Sequence, residues 1–245
     1  MTIEICVDSQ ASVEACAEGG ADRIELCAGL VEGGTTPSAG FLRIARRVFP
    51  GQIMMMIRPR CGDFFYSEAE AEIMREDIRT AREGGADGVV FGGLTADGRI
   101  DRALAESLLA SAAGMLVTFH RAFDVTPDLE ASLETLISLG IPRVLTSGGQ
   151  PSVPEGLDVI RRLVDHAAGR ICILPGGGIK AEMIPDIVTA TGVTECHLSA
   201  RHSVESPMVF RRTDIPMGAL EVPGEYTAKV ASSSLIRLAK QARRL

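Results

Sequence analysis

The chain has 245 residues, is 46% hydrophobic and carries a formal net charge of −7. That balance, with Lys and Arg scattered and no Trp, argues against a nucleic-acid partner or a platform for stacking single strands. No apolar run approaches the roughly 18 residues of a membrane span. The N-terminus has no basic start and carries Glu4 and Asp8 inside its apolar stretch, so no signal peptide is read there. No membrane partner and a cytoplasmic location are expected, with the six cysteines present as thiols.

Strand one is expected over 3–7, with Ile3, Ile5 and Val7 on one face and Glu4 and Cys6 on the other. A short helix over 12–19 ends at Gly20, and strand two follows over 23–27. A glycine also stands before each later apolar segment, at Gly51, Gly85, Gly114, Gly140, Gly169 and Gly192. Glycine in that place is the common left-handed helix stop. The strands that follow are predicted over 53–58, 88–92, 116–120, 143–147, 171–175 and 194–199. Helices are predicted over 36–48, 67–83, 101–112, 128–139, 157–167 and 181–191, with Ser67 and Glu70 forming a capping box.

Eight strands joined by crossover helices close most simply into an α/β (β/α)8 TIM barrel, a single domain over 1–245. A doubly wound open sheet is the runner-up, but nothing marks its switch point. Residues 201–231, broken by Pro207, Pro216 and Pro223, are expected to be an irregular insertion before a last helix over 232–245. A homodimer is expected from barrel habit alone.

Chemistry gathers where strands end in polar residues. The stretch Val117-Thr118-Phe119-His120-Arg121-Ala122-Phe123-Asp124 delivers a His, an Arg and an Asp to a strand's C-terminal end. Thr126 is expected to cap the next helix, with Pro127 at its first position. If the apolar face of each strand packs on helices, Glu4, Cys6, Glu25, Cys27, Met56, Arg58, His120, His197 and Ser199 point into the barrel. Cys196 and Leu198 then face outward, and Arg58 is expected to answer the buried glutamates. A solvated loop or lid, held by Asp63–Arg pairing, is expected after strand three.

Two chemistries fit this cluster. Thiols on neighbouring strands, Cys6 and Cys27, with imidazole from His120 or His197, would suit Cu(I) or zinc. Alternatively, Arg58 would bind an anionic substrate while His120 and Glu25 transfer protons. Gly176, Gly177 and Gly178, with Ser199 and Arg201, would then form an anion or phosphate site at the loops after strands seven and eight. Tight turns alone would explain the same glycines.

The runs Ile3-Glu4-Ile5-Cys6-Val7-Asp8-Ser9 and Gly19-Gly20-Ala21-Asp22-Arg23-Ile24-Glu25-Leu26-Cys27 resemble the CutC family, named for copper homeostasis. So do the runs over 33–38, 56–60, 87–92, 118–124, 143–149 and 175–179, in order along essentially the whole chain. Cys61 stands where the family pattern has Gly. The resemblance implies a cytosolic TIM barrel that binds copper, linked to copper tolerance or trafficking, with Cys6 and Cys27 as its Cu(I) ligands. The expected function is copper binding in homeostasis. The alternative is a barrel enzyme on a small anionic or phosphorylated substrate, and a third possibility is a scaffold acting through 201–231.

Overall fold

A computed structural model describes residues 1–215 and 226–242. Eight parallel strands are ordered β7-β6-β5-β4-β3-β2-β1-β8, and the bridge between Gly176 and His197 joins the two ends of that order. They are β1 Thr2–Val7, β2 Arg23–Leu26, β3 Gln52–Met56, β4 Gly88–Phe91, β5 Leu116–Phe119, β6 Arg143–Thr146, β7 Cys172–Pro175 and β8 Glu195–Leu198. The helices between them are α1 Gln10–Gly19, α2 Ala39–Val48, α3 Glu68–Glu83, α4 Arg102–Ser111, α5 Leu129–Ser138, α6 Val153–Ala167 and α7 Ile184–Thr191, and α8 Ser233–Ala242 closes the ring. The expected (β/α)8 TIM barrel is present. No described helix is long and apolar enough to cross a membrane.

The main core lies between barrel and helices. Ile3, Ile5, Val7, Ile24 and Leu26 face outward into it, and Cys196 and Leu198 join them as the parity predicts. Inside the barrel a separate small apolar cluster holds Cys27, Met54, Met56 and Val90. The three consecutive methionines therefore split, with Met55 outside and Met54 and Met56 within.

Helix starts follow side-chain chemistry. The Ser67–Glu70 capping box of α3 is present. Between β5 and α5 the expectation fails. Residues Arg121–Val125 wind into a 3-10 turn, and Asp128, not Thr126, caps α5 by accepting from the Ala131 N–H at 3.0 Å. Thr126 instead donates its hydroxyl to the Phe123 carbonyl. An aspartate one step beyond the proline took the cap because the 3-10 turn uses up the residues in front of it.

The segment after β8 is more ordered than expected. Arg201–Glu205 (β9) and Thr227–Ala231 (β10) pair antiparallel, and residues 216–225 of the expected insertion lie outside the described residues. The hairpin is anchored where the Ala231 N–H donates to the buried Ser12 hydroxyl at 3.0 Å. Its alternation was hidden because both faces are mostly exposed, so no apolar stripe marks it.

One contact locks β6 to α6. A Cβ added at Gly156 would lie 1.9 Å from the Ser147 carbonyl oxygen, closer than packing allows. Gly156→Ala is expected to cost about 1–3 kcal/mol, as overpacking does. Thermal denaturation should show a fall in Tm of about 2–4 °C per kcal/mol for a chain of this size.

Candidate functional site

The barrel interior is built from charge as much as from hydrocarbon. Arg23 opens β2 with the same parity as Glu25, and it is fully buried. Its Nε donates to Glu4 Oε2, and its Nη2 donates to Glu195 Oε2 at 2.5 Å. Arg143 completes the chain, donating from Nε at 2.8 Å and Nη2 at 3.1 Å to Glu195. Arg23, Arg143 and Glu195 were missed from sequence. Each stands two residues before an inward residue, so the parity rule extended to strand starts would have found them.

The expectation for Arg58 needs correction. Its Nη1 donates to the Glu32 and Gly34 carbonyls at 3.1 and 2.9 Å, and its Nη2 to the Gly62 carbonyl at 2.8 Å. The guanidinium thus holds the β2–α2 and β3–α3 loops together, and Arg23 answers the glutamates instead. The loop after β3 is held as foreseen, by an Arg60–Asp63 pair at 3.0 Å.

Above Arg23 lies the floor of the mouth. His197 Nδ1 is 2.7 Å from Glu4 Oε1, and its Nε2 is 3.9 Å from Glu25 Oε2. A ligating atom from each of Glu4, Glu25 and His197 falls within 4.8 Å of the others. The strand register sets Cys6 level with Glu25, so Cys27, just past the end of β2, stands two residues further along the chain. The Cys27 thiol donates to Glu25 Oε2 at 3.5 Å, and the Cys6 thiol reaches the Leu198 carbonyl at 3.8 Å. Cys27 is fully buried, with its sulfur against Gly34.

The charges of the floor follow from these neighbours. Burial pushes the Glu4 pKa up, but Arg23 and His197 outweigh it and bring it to about 2. Burial works against protonated His197, yet Glu25, Cys6 and Glu4 hold its pKa well above the usual range. Glu25 is raised by burial and by Glu4, with His197 opposing. Cys27 is pushed up by burial and by the Glu25 carboxylate. The floor is an imidazolium between two carboxyl groups.

The rim carries the other expected residues. His120 accepts from the Ala122 N–H at Nδ1, 3.2 Å away, which puts its ring proton on Nε2. Burial and Arg58 lower its pKa to about 3, so it is neutral. Asp124, expected as chemistry, is structural. It accepts from the N–H groups of Ser147 and Gly149 and from the Thr146 hydroxyl, and it pairs with Arg121 at 2.7 Å.

Gly176 is small because a Cβ there would meet Leu145 at 2.5 Å and His197 at 3.1 Å. Its N–H is already used by the Thr146 carbonyl. Gly177 and Gly178 adopt φ of 124° and 74°, which favour glycine. Together with Ser199 and Arg201 these three glycines line the same cavity as Cys6, Glu25, Arg58, His120 and His197, whose volume is 510 Å3. Sequence parity therefore brought together one site. Cys27 lies just beneath it, in the interior cluster.

Two measurements check this electrostatic picture. Proton–nitrogen NMR of the imidazole rings should show His197 as an imidazolium at about pH 8 and His120 neutral at about pH 5, against an ordinary histidine near 6.5. The signs for stability differ between groups. Glu4 and His120 have lowered folded pKa values, so their contributions are present at neutral pH and lost on acidification. His197 is raised, so its contribution is full below its unfolded pKa and lost as pH rises through the folded one. Separately, Arg23→Met leaves Glu4 and Glu195 without that buried partner. Chemical denaturation should report a loss of about 3–5 kcal/mol.

Comparison with known proteins agrees with the barrel fold. The model of the CutC family matches residues 1–202. The copper homeostasis protein cutC homolog of Homo sapiens is 50% identical over 235 residues, covering 96% of this chain and 86% of that protein. A family protein CutC of Porphyromonas gingivalis is 47% identical over 239 residues, covering 98% and 96%. The crystal structure of a CutC from Streptococcus agalactiae, described as a candidate copper homeostasis protein, superposes with a TM-score of 0.78. It is 36% identical and covers 81% of this chain and 98% of that one. Phosphoribosylanthranilate isomerase from Thermotoga maritima shares the fold alone, at a TM-score of 0.61 and 14% identity. Model match, identity and structure together place this chain in the CutC family.

Proposed function

We propose that the protein serves copper homeostasis, the role for which its relatives are named, and that it holds Cu(I) at the floor of the barrel mouth. The supporting observation is the donor set around His197. Glu25, Cys6 and Glu4 together raise the basicity of His197, and the Cys27 thiol lies against Glu25 in the same interior. Two thiols and an imidazole are soft and borderline donors, the kind that suit Cu(I). The donor types suit the ion; among the described residues the ligating atoms that already converge within 4.8 Å are those of Glu4, Glu25 and His197, so Cu(I) binding requires the two thiols to turn toward His197.

Cys6, Cys27 and His197 would hold it, as the sequence suggests for the thiols. His120 is set apart from the ligands, because its Nδ1 accepts from the Ala122 N–H and its Nε2 therefore carries the ring proton and offers no lone pair. Ligation must displace protons, since thiolate and neutral imidazole are the binding forms. Cys27 carries its thiol proton strongly and His197 its ring proton, so affinity should rise with pH. Glu4 and Glu25 then keep negative charge beside the cation, and Arg23 fixes Glu4 in place.

Anaerobic competition for Cu(I) against a colorimetric chelator of known affinity tests this proposal. One-to-one binding is expected, tightening with pH. It should weaken at least 100-fold in the Cys6→Ser, Cys27→Ser double variant, since second-sphere changes alone already cost about 10–100-fold. Affinity unchanged in the double variant would remove the proposal.

A further inference from the structure

Three arginines line the mouth cavity, and they differ in what holds them. Arg58 is committed to loop carbonyls. Arg121 donates from Nε to Asp124 at 2.7 Å and from Nη2 to the Ser147 hydroxyl at 2.6 Å, and its Nη1 has no partner among the described residues. The half-buried Arg201 side chain makes no hydrogen bond or ion pair with a described residue. Every other buried or half-buried arginine among the described residues is hydrogen-bonded. A cation drawn partly out of water without a partner is costly, so its place on the mouth wall points to an anion that completes it.

Two loops bring the free donors together. A Cβ added at Gly177, where φ is 124°, would lie 3.4 Å from Arg121 Nη1, so the bare turn after β7 lies against that guanidinium. The next residue, Gly178, shares two cavities with Ser199 and Arg201: the mouth and an adjoining one of about 410 Å3. The turn therefore has Arg121 on one side and the Ser199–Arg201 segment on the other. The N–H groups of Gly178, Ser199 and Ala200 donate to no described residue, and neither does the Ser199 hydroxyl. The free side-chain donors of Arg121, Arg201 and Ser199 are not among the buried unpartnered atoms of the described residues, so each is open to solvent.

The acidic groups of the cavity leave this wall cationic. Asp124 is engaged by Arg121 and by the loop after β6. Glu25 and Glu32 belong to β2 and the loop after it, with β1 and β8 between them and β7. Arginine stays charged at any working pH, so the wall depends on no titration. Its forks match the oxygens of a phosphoryl group, and the loops after the seventh and eighth strands of barrels frequently hold phosphate.

We propose that the Gly177–Gly178 turn, between Arg121 and Arg201, binds the phosphoryl group of a small phosphate monoester. Ser199 donates to the same group, and the organic part of the ester extends into the 510 Å3 mouth. The site goes beyond copper homeostasis and requires no metal.

The test is calorimetric titration of the full-length, reduced and metal-free protein at fixed ionic strength. The probes are glycerol 3-phosphate, inorganic phosphate and glycerol. Saturable one-to-one binding of glycerol 3-phosphate is expected, with inorganic phosphate weaker and glycerol silent. Arg201→Gln should weaken the ester at least tenfold, about the factor a hydrogen bond to a charged group contributes. Its ligand-free Tm should not change, because Arg201 has no partner to lose. Arg43→Gln removes the same charge from the exposed face of α2 and should leave the affinity unchanged. Absence of saturable binding, full affinity in Arg201→Gln, or an equal loss in Arg43→Gln overturns the proposal. Inorganic phosphate binding as tightly as the ester would assign the turn to the free ion and overturn the monoester. The three-probe comparison uses the unmodified protein, so it stands even if a variant does not fold. Because no copper is present, failure of the Cu(I) competition and failure of this titration are separate results.

Discussion

The Arg23–Glu4 ion pair is the constraint from which the mouth follows. A charged pair inside a barrel loses most of its hydration and is tolerated only when each group is paired and hydrogen-bonded. Arg23 meets this by bridging Glu4 and Glu195, and Arg143 closes the far side of Glu195. Glu4 in turn fixes His197 through Nδ1. The orientation of the one imidazole on the mouth floor therefore rests on an arginine one layer below it. Most barrels fill these layers with Val, Ile and Leu. Here β1, β2, β6 and β8 contribute charge, and the hydrocarbon inside includes the Cys27, Met54, Met56 and Val90 cluster on the β2–β4 side and Leu145 from β6.

That division gives the mouth two halves. On the β8–β1–β2 side are an imidazolium, the ionised Glu4, the Glu25 carboxyl group and two thiols. On the β3–β5 side are the neutral His120 and the Arg58 guanidinium, held by backbone carbonyls and the face of Phe64. The halves differ in kind. The first is dominated by ionisable groups, while in the second the polar groups are held by the backbone. Glu25 stands between them, with one oxygen toward Cys27 and the other unpartnered.

Much of this was legible from the chain because burial and strand period act together. Parity in β1, β2 and β8 placed Glu4, Cys6, Glu25 and His197 inside, since the alternating apolar residues had to meet the helices. Parity alone gave neither depth nor partners. It showed that Arg58 points inward, but not that three carbonyls across two loops had claimed it. Arg23 was passed over although the strand start was read correctly, because the parity argument was applied only to Glu25 and Cys27 further along the strand. The shift of the α5 cap from Thr126 to Asp128 depends on the 3-10 turn before it, a feature with no simple periodic signature. The β9–β10 hairpin lacks a buried face, so no pattern marked it. The glycines after β7 were open to two explanations, and Gly176 turns out to make room for Leu145 and His197.

The most direct test of the proposed copper site is the X-ray absorption spectrum of the Cu(I)-loaded protein. Cys6 and Cys27 as ligands predict sulfur in the first coordination shell, with nitrogen from His197. A first shell of nitrogen and oxygen alone would contradict the account. Copper would then lie on the Glu4, Glu25 and His197 cluster or elsewhere, and the two thiols would be packing groups of the barrel interior.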